Sequence, residues 1–182
     1  LDSINAIVNL FEGQPRDANR LQFSLTKRKG ELADFVGIRN ELLIDESAIL
    51  ENLKKVQDKN DVEISRQLAG MNFSIEMETG TGKTYVYLRT VFELNKKYGF
   101  TKFIVVVPSV AIREGVKKNL EITRHHFREL YDRIPFDHYV YDPKNINNIS
   151  KFASSNTIQI LVINIDAFRK TVEGLDDESK AN

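Results

Sequence analysis

Gly80-Thr81-Gly82-Lys83-Thr84 is the stretch that most limits what this chain can become. Two glycines one residue apart let backbone N–H groups close around phosphate oxygens, because a Cβ would block the approach and the turn needs unusual φ/ψ. A lysine placed just after them reaches the β- and γ-phosphates of a nucleoside triphosphate, and the next threonine hydroxyl suits Mg²⁺. The pattern G-x-x-x-x-G-K-[ST] is met except at its first position, which is Met77. The flanks therefore carry the decision. Phe73, Ile75 and Met77 alternate with Ser74 and Glu76, the period of a strand. Val86, Leu88, Val91, Phe92 and Leu94 then run without Pro or Gly to Gly99, where a left-handed C-cap is expected. Strand, glycine loop and helix aim amides and a positive helix end at an anion. The competing reading is a surface turn that happens to be rich in Gly and Thr. With both flanks in place, a nucleoside triphosphate site is expected.

The rest of the composition narrows the setting. A length of 182 residues fits one domain with a well-buried core. Lys and Arg total 26 and Asp and Glu total 26, so no global charge advertises nucleic acid, although a neutral whole can carry a basic stripe. Cysteine is absent, which removes disulfides, thiolate metal sites and Cys nucleophiles together. The apolar run Phe103 to Val107 is far shorter than a membrane span. A cytoplasmic protein without a membrane partner is expected. Leu1, Ile4, Val8 and Phe11 hold helical spacing from the first residue, and Gly174 to Asn182 is polar with no apolar partner. Both ends read as cut from something longer.

Along the chain, residues 1 to 12 predict an amphipathic helix stopped by Gly13 and Pro15. Leu21 to Leu25 alternates like a short strand, the basic run Lys27-Arg28-Lys29 follows, and Leu42-Leu43-Ile44 suits a buried strand or a turn. Ile49, Leu50, Leu53 and Val56 predict a helix within Asp45 to Lys59. Lys102 to Pro108 is a continuous β-branched run, the mark of a strand covered on both faces. Ser109 can cap a long helix bearing Val116, Leu120 and Phe127. His138 to Tyr141 and Ile158 to Ile163 are further strand candidates. Strands alternating with helices predict an α/β fold with a parallel sheet, and ligands at its carboxyl ends.

The string from Phe73 to Thr84 is similar to the first motif of superfamily 2 helicases and translocases. More narrowly, Glu76 to Thr84 looks like the version in Res subunits of type III restriction enzymes. Val106 to Gly115, containing Pro108-Ser109-Val110-Ala111-Ile112-Arg113, resembles that family's motif Ia, which touches the nucleic-acid backbone. Leu1 to Ile7 with Phe11-Glu12-Gly13 looks like the helix that begins such subunits, and Ile163 to Phe168 fits a later DNA-contacting motif. The resemblance implies a P-loop NTPase fold, a RecA-like parallel sheet flanked by helices, forming the first helicase lobe. Residues 1–70 would be an opening helix and insertion of that lobe, and 71–182 its ATP-binding part. Lys83 would neutralise phosphate charge, Thr84 would coordinate Mg²⁺, and Glu78, Thr79, Gly80, Thr81 and Gly82 would line the phosphates. Pro108, Ser109 and Arg113 would lie along DNA. The implied protein hydrolyses ATP, acts on double-stranded DNA with a Mod methyltransferase subunit, and cuts with a separate nuclease domain.

Some expected parts are missing. The family's second ATPase motif is an apolar strand ending in Asp-Glu, and Asp166 after the last apolar strand is followed by Ala167 instead. Asp177-Glu178 sits in a polar tail without a strand, and Glu178-Ser179-Lys180 imitates a nuclease triplet only by chance. The acidic pair is expected beyond the chain. Arg113, Lys117 and Lys118 read equally as a solvated helix face. His125 and His126 are adjacent on a helix and so poor joint metal ligands. Tyr85 and Tyr87 suit packing better than adenine stacking, and Gln14 and Gln22 are poorly placed to read a base. The rival readings are another superfamily 2 motor (type I restriction or repair) and a P-loop kinase of small substrates. The kinase leaves Pro108 to Gly115 unexplained.

Overall fold

A computed structural model of the chain describes residues 1–16, 23–25 and 36–167. They fall into two compact units: residues 1–22 with 40–100, and residues 23–39 with 101–182.

The first unit is helical. Helix α1 (Asp2–Asn9) buries Ile4 and Val8, and turns lead on to Gly13 at φ 94°. Helix α2 (Glu46–Lys59) starts at Asp45, whose carboxylate accepts the Ala48 N–H at 2.8 Å. Helix α3 (Lys83–Tyr98) ends at Gly99, which sits at φ 74° and donates its N–H to Asn95 O at 2.8 Å. That is the left-handed closure the sequence pattern asks for. Leu88, Val91, Phe92 and Leu94 are its buried stripe. Phe11 packs edge-on against Tyr98 and Phe100 at centroid distances of 6.2 and 5.6 Å, Tyr98 and Phe100 lie tilted at 6.0 Å, and the Tyr98 hydroxyl donates to Val8 O at 2.9 Å. The ring area is thus buried while its polar end is satisfied.

Two stretches of this unit differ from expectation. Phe73 to Met77 forms no strand, and Ile75 is 45% exposed. Alternation alone does not make a strand, since the backbone also needs a ladder partner; none pairs with it among the described residues. Leu42-Leu43-Ile44 is irregular too, with Leu42 and Leu43 exposed rather than buried.

The second unit holds the parallel sheet. Its strands are β3 (Lys102–Val107), β4 (Phe136–Val140) and β5 (Ile158–Asn164), in the order β3-β5-β4. All seven residues of the central β5 are buried, as a run covered on both faces requires. β3 departs from that pattern: Ile104 and Val106 are 55% and 45% exposed. Two residues apart, they share one face of the strand, and that face is open among the described residues. Strands β1 (Phe23–Leu25) and β2 (Val36–Ile38) form a separate antiparallel pair. Leu21, Gln22 and the Lys27-Arg28-Lys29 run lie outside the described residues.

Helix α4 (Val110–Leu130) follows β3 and buries Val116, Leu120 and Phe127. Arg124 ties it to β4, donating to Phe136 O at 3.2 Å with its guanidinium 4.9 Å from the Phe136 ring centroid. Helix α5 (Ile146–Ser154) joins β4 to β5. Its carboxyl end is closed by the Lys102 ammonium, which donates to Phe152 O and Ser155 O. A cation there complements the helix dipole, yet burial lowers the Lys102 pKa to about 8.

Candidate functional site

The glycine loop occupies the entry to α3. Gly80 and Gly82 take φ 85° and 83°, and Gly82 is the helix N-cap. A Cβ at either position would meet nothing within 4 Å, so the need for glycine here is backbone conformation rather than space. The Thr81 hydroxyl donates to Glu78 O at 2.7 Å and folds the turn on itself. Val86 N–H reaches back to Gly82 O at 3.0 Å. The N–H groups of the first helical turn have no acceptor within their own helix and face outward with the positive dipole end.

Lys83 opens α3 and is exposed, Thr84 is half-buried, and Glu78 and Thr79 are exposed. These groups fit a polyphosphate: two left-handed glycines, a helix start and an exposed ammonium lie within five residues. The half-buried Thr84 side chain hydrogen-bonds with the Tyr87 phenol one turn further along α3. No cluster of three or more His, Cys, Asp or Glu side chains able to hold a metal occurs among the described residues. Burial pushes the Tyr87 phenol up, with the Thr84 hydroxyl partly opposing it.

Gln14 has a different task from base reading. Its side chain is buried, donating to Glu41 O at 2.9 Å and accepting the Leu43 N–H at 2.8 Å. Both amide ends are occupied by backbone.

In the second unit, Pro108 and Ser109 follow the carboxyl end of β3. Ser109 caps α4 by accepting the Ile112 N–H at 3.3 Å. Pro108 is exposed, and Arg113, one turn into the helix, pairs with Glu114 at 2.9 Å. Asp166 is exposed just beyond β5. His125 and His126 are exposed on α4, as adjacent residues on a helix must diverge. Asp177, Glu178 and Lys180 lie outside the described residues.

Beside Arg113 the structure opens a groove that the sequence did not reveal. It encloses about 580 Å³ and is bordered by Arg113 and Lys117 of α4, His138 and Tyr141 of the β4 segment, and Asn145 and Asn148 near α5. His138 lies within β4 rather than at its start. Burial lowers the pKa of its imidazole, with the Arg124 cation adding to the effect, and Nδ1 is buried without a hydrogen-bond partner among the described residues. No linear motif joins α4, β4 and α5, so only the fold could assemble this lining.

Comparison with known proteins gives a consistent result. The family profile described as "Type III restriction enzyme, res subunit" matches residues 41–182. The EcoPI Res subunit of Escherichia phage P1 is 38% identical over 119 residues, covering 63% of this chain and 12% of that protein. The EcoP15I Res subunit of Escherichia coli is 36% identical over 129 residues, covering 66% of this chain and 13% of that protein. The StyLTI Res subunit of Salmonella typhimurium strain LT2 is 49% identical over 63 residues, covering 34% of this chain and 6% of that protein. The chain thus spans about an eighth of the length of the first two relatives.

Proposed function

Because the chain belongs to the Res subunit family of type III restriction enzymes, we propose that it carries the nucleotide-binding part of that family's motor lobe. In the intact protein this lobe would couple ATP hydrolysis to movement along double-stranded DNA and to its cleavage. Residues 71–182 would hold the ATP loop and the DNA-facing motifs, with residues 1–70 as its opening helices and insertion. A Mod methyltransferase subunit would be the partner that recognises the site, in a cytoplasmic setting. No helix of the described residues is long and apolar enough to cross a membrane.

One observation carries the reading: two left-handed glycines deliver an exposed Lys83 to the start of α3. Lys83 would offset charge on the β- and γ-phosphates, the loop amides would hold their oxygens, and Thr84 would hold Mg²⁺. Bound Mg²⁺ would supply the cation that neutralises charge as the terminal phosphoryl group leaves. Positioning and electrostatics of this kind need no covalent intermediate. Pro108, Ser109 and Arg113 would contact the DNA backbone, which orients a protein without reading sequence.

Lys83→Ala tests the assignment. The variant should fold normally, since Lys83 is exposed, and should lose about tenfold or more in affinity for a fluorescent ATP analogue. In the intact protein the same change should abolish ATP-dependent DNA cleavage. Cleavage at the wild-type rate would sink the ATPase reading.

A further inference from the structure

We infer that Tyr87 is a positioning residue of the phosphate loop, holding the Thr84 hydroxyl in the orientation that a Mg²⁺–nucleotide needs. The inference rests on the nucleotide reading above and adds a residue that lies outside the glycine motif. A threonine inside a helix commonly ties its hydroxyl to the backbone carbonyl four residues earlier. Thr90 and Thr123 do so, donating to Val86 O at 2.8 Å and to Asn119 O at 2.6 Å. Thr84 is the second residue of α3, and no helical turn precedes it to offer such a carbonyl. Its hydroxyl is held from the other side, by the Tyr87 phenol one turn further on.

Helix geometry favours this pair. Residues three apart share a helix face, and long side chains lean back toward the helix N-terminus, which brings the Tyr87 ring over the turn that carries Thr84. The chemistry of the pair also suits a metal. A threonine oxygen is a hard, neutral donor of the kind Mg²⁺ takes beside phosphate oxygens. A hydroxyl has one hydrogen and two lone pairs. Once a lone pair of Thr84 is given to the cation, its hydrogen needs an acceptor elsewhere, and the Tyr87 phenol oxygen is already in hydrogen-bonding contact. Removing a partner that orients a metal ligand from behind costs about 10–100-fold in metal affinity.

The test measures the affinity of the full chain for a fluorescent, non-hydrolysable ATP analogue, in EDTA and across a Mg²⁺ titration. Tyr87→Phe keeps the ring and deletes the phenol oxygen. It should raise the Mg²⁺ concentration at half-effect about tenfold, while its affinity in EDTA equals that of the wild type. Thr84→Ala should remove the Mg²⁺ response, and adding Tyr87→Phe to it should change nothing further. If Tyr87→Phe fails to fold, Tyr87→His and Tyr87→Leu carry the comparison, and the first should keep more of the Mg²⁺ response than the second. An unchanged Mg²⁺ midpoint in Tyr87→Phe, an equal loss in Mg²⁺ and EDTA, or equal responses of the His and Leu variants overturns the positioning role. A Mg²⁺ response that survives Thr84→Ala overturns the reading of Thr84 as a Mg²⁺ ligand. Wild-type chain that binds no nucleotide overturns the nucleotide site itself.

Discussion

At the scale of single residues, Gly82 and Lys102 lead to opposite kinds of prediction. Gly82 holds φ 83° with free space around its missing Cβ. Gly82→Ala should therefore destabilise the chain by about 1–2 kcal/mol through backbone strain alone. Thermal melting of the nucleotide-free protein would check this. Lys102 is an ammonium that burial holds at a pKa of about 8, below the ordinary 10.5. A lysine depressed in the fold favours the unfolded chain while charged, so stability should rise as pH climbs from about 8 toward 10. It should fall away again as pH drops through 8. Urea midpoints at pH 7.5 and 9.5 should show that rise in the wild type and a smaller one in Lys102→Met. The loop residues were legible in the sequence because backbone conformation and motif sit within five adjacent positions. The groove around His138 was not, since its lining comes from three separate elements.

At the scale of elements, local signals were legible where a cap or a stripe decides the outcome. Asp45, Gly99 and Ser109 each bound a helix as their chemistry demands. Ser109→Ala should cost about 1 kcal/mol by leaving the first turn of α4 uncapped. Phe127, fully buried under that helix, should cost about 3–5 kcal/mol when cut to Ala. Chemical denaturation of both variants would rank the two effects. The strands were less legible, because a strand is defined by its neighbours. Phe73 to Met77 has the right alternation and no ladder among the described residues, and Lys102 to Val107 has the right composition with one face open. β5 matched its expectation because helices α4 and α5 both pack on it and all seven of its residues are buried.

At the scale of the molecule, the match over residues 41–182 resolves the choice among families left open by the motif alone. A type I or repair enzyme is no longer needed to explain the loop. The Gln14 clasp has a consequence for how the chain tolerates change. It joins residue 14 to residues 41 and 43, the two points between which the chain leaves the first unit and returns to it. Gln14→Ala should lower the melting temperature by several degrees, because it removes two hydrogen bonds and leaves a space where a buried side chain stood. A short glycine-serine insertion after Pro15 should shift it far less. Once the neck of an excursion is tied, its closure entropy grows only with the logarithm of its length, about 0.6 kcal/mol per doubling. The tie at Gln14 thus makes its contacts to Glu41 and Leu43 insensitive to a small change in the length of chain just after Pro15.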